Sequence, residues 1–499
     1  MDKRRPIIIA IGQFTNRSYD RDSVKDPMEM IEIAIEKAEE DACFPSLREK
    51  VDSLCLVNIL SSSSDDPPGE LAERIGARSA RLSYTWIGAT APQWFVNRTA
   101  EAISQGKLRI ALICGGEAFH SQKVAQGIKK GRPPGWTRSK GSPHLVGDLR
   151  DPLTQLEIRY GLTIPVNIYP LFENALRYHE GLSMDEHMEE LGSFCAGMSA
   201  IAMKNPYAWF RDGRGKEEII SITGENRMIS FPYTKFMCSI MEVDQSAAIF
   251  MTNEEEARAL GIPREKWVYI RGCGDASDIW HVSHRDRLFE SPSVKIAAEK
   301  AMEQAGVSLD DIEYLDFYSC FPCAPRITRN MLGISKDDPR PLTITGGMPY
   351  FGGPGNNYSL HAICRMVEIL RENPGKYGMV QALSWFISKH SVGIYSGIPP
   401  EGPFNVVDPA TYQKELDGLS GTKIVDEAYG MATVETYTVI HDREGRPVSS
   451  IIIGRLEDGR RFIAKGEDDE GSLREMMAKE IIGKRGTVKN RGGVNIFTL

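Results

Sequence analysis

The feature that most constrains this chain is a self-similarity between two distant segments. Residues 33–42, Ile-Ala-Ile-Glu-Lys-Ala-Glu-Glu-Asp-Ala, and residues 296–305, Ile-Ala-Ala-Glu-Lys-Ala-Met-Glu-Gln-Ala, agree at seven of ten positions. Each comes after a helix-start signal, Asp26-Pro27 in one case and Ser291-Pro292 in the other. A short polar side chain there accepts a free amide, and proline gives up an N–H that has no helical partner. The segments downstream of the two helices repeat as well. A polar turn and an apolar strand come at 51–57 and again at 312–318. A longer helix (94–103, 359–370), a glycine break (Gly106, then Gly375 and Gly378) and another strand (110–114, 379–383) complete each set. Strand and helix alternating twice in one order imply a duplicated α/β unit with parallel or mixed sheets covered by helices.

At 499 residues the chain exceeds what one hydrophobic core usually organises. The spacing predicts a first half over 1–270, containing a long excursion over 119–235, and a second half over 271–403. The excursion begins with a stretch rich in Gly, Pro and basic residues, including Lys129, Lys130 and Arg132, and continues as a helix over 171–202. Irregular excursions from a compact core tend to carry ligand contacts. Beyond Pro403 short β-type runs at 432–440 and 449–454 flank an Asp442–Gly445 turn, which predicts a small β-rich domain over 404–499.

The net charge of −8, with both signs interspersed, gives no nucleic-acid surface; the basic tail 484–491 reads as a solvated terminus. No apolar run reaches the roughly 18 residues needed to span a bilayer. The apolar start at Ile7 stops at Gly12-Gln13 and reads as a buried strand. Nine scattered cysteines make no disulfide framework and point to a reducing cytoplasm.

Several strings carry a family resemblance. Residues 114–118 (Cys-Gly-Gly-Glu-Ala), 243–248 (Val-Asp-Gln-Ser-Ala-Ala) and the glycines Gly346, Gly347, Gly352, Gly353 and Gly355 resemble, in order, segments of the thiolases. Residues 316–322, 346–358 and 388–395 are similar to the thiolase-like type 1 branch, which is related to lipid-carrier-associated thiolases and carries an extra C-terminal domain. The resemblance implies a thiolase fold in layered α/β/α/β/α arrangement, plus an OB-like barrel at the C-terminus. It also implies acyl-CoA as the small-molecule substrate, with coenzyme A part of that substrate and no tightly bound cofactor. Monomer and homodimer both fit.

A thiolase needs an activated thiol, a second thiol or acid to move the α-proton, and an oxyanion hole. This sequence departs at each position. The nucleophile position falls on Ala89 or Thr90, the histidine of the glycine loop on Gly353, and the last catalytic cysteine near 383–385, where there is none. Thr90 could serve as a hydroxyl nucleophile only with a base held against it, and the local sequence supplies none. The polar residues left on the equivalent loops are Tyr318, Cys320, Tyr350 and His390 as candidate catalytic groups. Thr90, Gly347, Gly353, Asn356 and Asn357 are candidate substrate contacts. Tyrosine and histidine can both carry protons for carbonyl chemistry. Each has a plainer reading: Tyr318 as a strand cap, Cys320 as a core thiol, His390 as a backbone partner, and the asparagines as turn formers. Cys320 and Cys323 have metal or redox spacing without a second pair, and His281 and His284 lack a third ligand, so no metal site is expected.

Three functions fit. One is an acyltransferase-type or carbon–carbon bond chemistry on acyl-CoA thioesters without the usual cysteine. The second is a retro-aldolase on β-hydroxyacyl-CoA using Tyr318 and Tyr350, by resemblance to thiolase-related aldolases. The third is a non-catalytic acyl-CoA or lipid carrier.

Overall fold

The computed structural model describes residues 4–61, 64–126 and 141–499; Lys129, Lys130 and Arg132 lie outside them. The first half runs β1 (Pro6–Thr15), α1 (Pro27–Ala42), β2 (Ser53–Leu56), β3 (Arg81–Thr85), α2 (Ala91–Ser104) and β4 (Ala111–Ala118). Its excursion carries α3 (Pro165–His179) and α4 (Met184–Lys204) before β5 (Asp244–Asn253) returns to the sheet. The second half runs β6 (Val268–Ser277), α5 (Pro292–Ala305), β7 (Ile312–Phe317), α6 (Cys323–Met331), α7 (Tyr358–Glu372), β8 (Tyr377–Ser384) and β9 (Lys389–Ser396).

The repeat is visible in the strand order. The first half reads β2-β4-β5-β1 and the second β7-β8-β9-β6. In each, the first pair is parallel and the next two are antiparallel. The halves share one ten-stranded path, because β1 and β6 pair through Ile7 with Tyr269 and Ile8 with Val268. That pairing satisfies two strand edges that would otherwise stand open. Helices α2 and α7 pack against strands of both halves, while α1 covers the first half and α5 the second. Three apolar clusters fill the spaces between these layers. The layered α/β arrangement is thus present, with its two sheets joined at one edge.

The matched alanines have a physical cause. A Cβ on Gly12 of β1 would lie 2.0 Å from the Ala34 carbonyl oxygen and 2.6 Å from the Ala38 nitrogen. In the second half a Cβ on Gly272 would lie 1.9 Å from the Ala301 oxygen, and one on Gly274 1.9 Å from the Ala297 oxygen. Ala34 and Ala38 are the repeat partners of Ala297 and Ala301. Each half therefore presses a helix backbone onto glycine in its first strand, which demands small residues on both sides.

The helix expected over 171–202 is two helices. Gly181, at φ 71°, ends α3, and Ser183 starts α4 with a capping box to Glu186. These helices dock on α6 through a buried ion network: Arg326 donates to Glu173 (2.7 Å) and Glu180 (2.8 Å), and the Tyr233 hydroxyl donates to Glu173 (2.7 Å). Burial alone would raise the Glu173 pKa, but Arg326 and His187 hold it below the ordinary value.

The tail begins with α8 (Pro409–Asp417), which packs on the second half rather than on the β-domain. Asp275 N donates to the Tyr412 hydroxyl (3.0 Å), and Gln413 exchanges two bonds with the Ser277 backbone (2.8 and 2.9 Å). Then come β10 (Gly430–His441), β11 (Pro447–Leu456), β12 (Arg461–Ala464), β13 (Arg485–Arg491) and β14 (Val494–Thr498), ordered β12-β11-β10-β13-β14. The Asp442–Gly445 turn joins β10 to β11, with Gly445 at φ 81°. Lys465 N bonds the Asn495 oxygen (2.9 Å) and Phe497 N the Lys465 oxygen (2.8 Å), so the two outer strands curl back to meet. Ser230 of the excursion pairs with Ile440 of β10, which fuses this domain to the body.

The glycine contacts give a direct test. Gly274→Ala is expected to lower unfolding stability by about 3 kcal/mol, because backbone and not a flexible side chain must yield. Gly197→Ala, on an exposed turn of α4 with nothing within 4 Å, should be neutral or stabilising by up to about 1 kcal/mol. Urea titration of both variants checks this; equal effects would refute the close-packing account.

Candidate active site

The loop before α2 and the β8–β9 hairpin come together where the halves meet. Two consecutive asparagines organise the place. Gly88 N donates to Asn356 Oδ1 (3.0 Å), Asn356 Nδ2 donates to the Asn58 carbonyl (3.1 Å), and Asn357 Nδ2 donates to the Gly115 carbonyl (2.9 Å). The second half's glycine loop thereby grips the first half's backbone. Asn356 and Asn357 are both buried and act as clamps.

The β8–β9 hairpin pairs Ser384 with Lys389 across its turn. Trp385 and Ile387 in that turn stand at φ 55° and 58°. A β-branched residue in the left-handed region is strained, and such strain concentrates at functional sites. Ser384 Oγ accepts from Thr90 N (2.7 Å) and lies 2.8 Å from Thr90 Oγ1. A Cβ placed on Gly88 would sit 2.9 Å from Ser384 Oγ and 3.3 Å from Lys389 Nζ, so these two polar atoms flank one point. Thr90, Lys389 and His390 line a cavity of about 380 Å³, walled by Trp86 and Trp94 and by Gln413 of the tail. Burial pulls the Lys389 pKa down, against the opposing carboxylates Asp148 and Asp275.

His390 faces this cavity with both ring nitrogens committed. Gln381 Nε2 lies 2.8 Å from Nδ1, which must accept, and Nε2 lies 3.0 Å from Ser291 Oγ. Ser291 in turn donates to Asp278. Burial, aided by Arg285, pushes the His390 pKa down to about 3, so the ring is neutral.

The other candidates lie elsewhere. Tyr318, Cys320 and Tyr350 are buried in the apolar cluster that joins α3 and α4 to the second half. Burial raises the Cys320 thiol to about 12 and both tyrosines well above their ordinary value. The buried Tyr350 hydroxyl lies beside the Cys195 thiol. Gly347, at φ 74°, leaves room for Met198. At Gly353 a Cβ would lie 2.3 Å from Ser239 Oγ and 3.2 Å from the Ile240 oxygen. The space a histidine would need is filled. Cys320 and Cys323 are free thiols, and among the described residues no group of three or more His, Cys, Asp or Glu could hold a metal. A second cavity, about 610 Å³, reaches Ser239 between Pro349 and Phe236, with Arg214 and Lys235 in its wall.

Ser384, Lys389 and Gln413 carry no local sequence signal that marks them for the site. The five-residue spacing of Ser384 and Lys389 signals a pair only once a tight hairpin is known to join them.

The family described as thiolase-like protein type 1 additional C-terminal domain matches residues 411–493. The structure of a monomeric SCP2-thiolase like protein type 1 from Mycobacterium smegmatis is similar at 33% identity, covering 100% of both chains with a TM-score of 0.86. An Ltp2-ChsH2(DUF35) aldolase structure shares the fold at 17% identity and a TM-score of 0.60, over 79% of this chain and 98% of that one. An acetyl-CoA acetyltransferase from Methanocaldococcus jannaschii is 26% identical over 180 residues, which is 36% of this chain and 43% of that relative. The chain thus spans less than half the length of the curated relatives it matches.

The neutral His390 has a thermodynamic consequence. Between pH 6.5 and 3 the unfolded chain takes up a proton there and the folded chain does not. Stability from this group is full above pH 6.5 and is lost as pH falls. Wild type should therefore lose about 2 kcal/mol more than His390→Gln between pH 7 and pH 5. Urea midpoints at the two pH values measure it; equal losses would refute a neutral His390.

Proposed function

The chain belongs to the thiolase-like protein type 1 family, and from that membership we propose that it transfers the acyl group of a coenzyme A thioester without a cysteine nucleophile. One observation carries the reading. A polar pair, Thr90 with Ser384 behind it, and Lys389 stand at a cavity at the N-terminus of α2, while a side chain at Gly353, the expected histidine position, is excluded by Ser239 and Ile240. Cations neutralise phosphates, and Lys235 and Arg214 of the second cavity are the ones we propose for them, in a wall that also carries Glu225 and Glu242 and apolar groups suited to a pantetheine arm. Coenzyme A enters here as part of the substrate. The M. smegmatis relative is described as monomeric, and a single chain with its own fused β-domain is the working unit we propose.

Retro-aldol cleavage is the less favoured chemistry. It would draw support from the aldolase of similar fold, but it relies on Tyr318 and Tyr350, which do not line the cavity with Thr90. The test is equilibrium binding of acetyl-CoA and hexanoyl-CoA by calorimetry, with turnover followed by mass spectrometry. Binding is expected, with free CoA released and turnover within about twofold of wild type in Cys320→Ala. Loss of turnover in that variant, or an acyl adduct on any cysteine, would overturn the reading. Aldehyde or ketone release from a β-hydroxyacyl-CoA would replace it with the aldolase.

A further inference from the structure

We propose that Thr90 is the acyl acceptor of this site and that its hydroxyl proton passes through Ser384 to Lys389; the inference rests on the acyl-CoA reading.

Thr90 stands at the N-cap of α2, where a threonine hydroxyl ordinarily accepts from an amide of the first turn and stabilises the helix by about 1 kcal/mol. Here it makes no such bond. The hydroxyl is turned instead toward Ser384 Oγ, 2.8 Å away. Ser384 is fully placed by its own bonds: its oxygen accepts from Thr90 N (2.7 Å), which leaves one lone pair for the Thr90 hydroxyl and one proton to donate onward. Lys389 Nζ lies 3.3 Å from the point a Gly88 Cβ would occupy and Ser384 Oγ 2.9 Å from it, so the amine stands near the serine without bonding it. Thr90 and Lys389 line the cavity, whereas Ser384, bonded to Thr90, does not.

The charge state suits the role. An ammonium group beside the positive end of a fourteen-residue helix is disfavoured. Burial and the Arg150 guanidinium act in the same sense, and Asp148 and Asp275 oppose them. Asp148 and Asp275 are themselves paired, with Arg150 (2.5 Å) and Arg98 (3.1 Å). The net effect lowers the Lys389 pKa, the direction that favours proton acceptance from a neighbour once the amine is neutral.

The step balances. The Thr90 Oγ1–C bond forms as the thioester C–S bond breaks. The Thr90 proton moves to Ser384 Oγ and the Ser384 proton to Lys389 Nζ, which returns it to the departing thiolate sulfur. The product is an acyl-threonine ester and a free thiol, with no oxidant or metal required. Hydroxyl, relay and amine reproduce the nucleophile–base logic of acyl-transfer sites with oxygen in place of sulfur.

The experiment incubates the full chain separately with acetyl-CoA and with p-nitrophenyl acetate, which carries no coenzyme A, and reads intact mass and peptide maps. One acetyl group is expected on Thr90, stable to neutral hydroxylamine as an oxygen ester is. Thr90→Val should abolish it and Thr90→Ser retain it. Lys389→Met and Ser384→Ala should slow labelling at least about a hundredfold while thermal unfolding shows each variant folded. Labelling that persists in Thr90→Val, unchanged rates in Lys389→Met, or a wild type that binds acetyl-CoA and is labelled by neither reagent would overturn the inference. Labelling of Thr90 by p-nitrophenyl acetate without acetyl-CoA binding would keep the inference and remove the coenzyme A reading.

Discussion

The architecture depends on a close approach of helix to strand that occurs once in each half. Where α1 crosses β1 and α5 crosses β6, the helix backbone rests against a glycine, leaving no room for a Cβ on the strand. This contact sets the height of the outer helix over its sheet and therefore the depth of the apolar layer beneath it. Interiors packed at crystal density do not absorb a methyl group there without moving backbone. It also explains why the two α-helices resemble each other in sequence. Alanines at 34 and 38, and at 297 and 301, are the residues that face the glycine, and the contact holds them small whatever else changes.

With the outer helices fixed, the inner pair α2 and α7 meets both sheets, and their N-termini converge where the halves join. The Asn356–Asn357 clamp then ties the loop before α7 to the loop before α2. That convergence brings Ala89, Thr90 and Ser384 together. Ser239 and Ile240 pack into the place of a Gly353 side chain. Packing thus leaves no room for a side chain at position 353, while the Thr90 and Ser384 hydroxyls are held in hydrogen-bond contact.

The range of each interaction decides how much of this is legible in the sequence. The duplication is readable because one contact imposes the same small residues on two local helices. The β-rich tail is readable from alternation and the Asp442–Gly445 turn. The break between α3 and α4 is written in Gly181 and the Ser183–Glu186 box, and the apolar run across it masks those signals. The docking of α8 on β6 is invisible, since it rests on backbone bonds from Gln413 and Tyr412 to a strand far away in the chain. Thr90 stands out for its place before α2, but its base cannot be found locally. Lys389 shares its cavity only because the hairpin turn, with Trp385 and Ile387 in the left-handed region, brings position 389 opposite 384.

That hairpin also explains why the tail matters to the site. Lys389 opens β9, whose pairing with β6 places it opposite Ser277, and Ser277 is held by Gln413 of α8. Gln413 itself lines the cavity. The wall around the amine is thus built from the first half, the second half and the added tail, and the 145–146 strand of the excursion closes the remaining side by pairing with β3. A lysine so placed is partly buried, and Asp148 and Asp275 are the carboxylates set against its lost hydration, each already bound to an arginine. Burial and Arg150 lower the pKa of that amine while Asp148 and Asp275 raise it, so the balance at position 389 is set by groups from the excursion and from β6 rather than by its own strand.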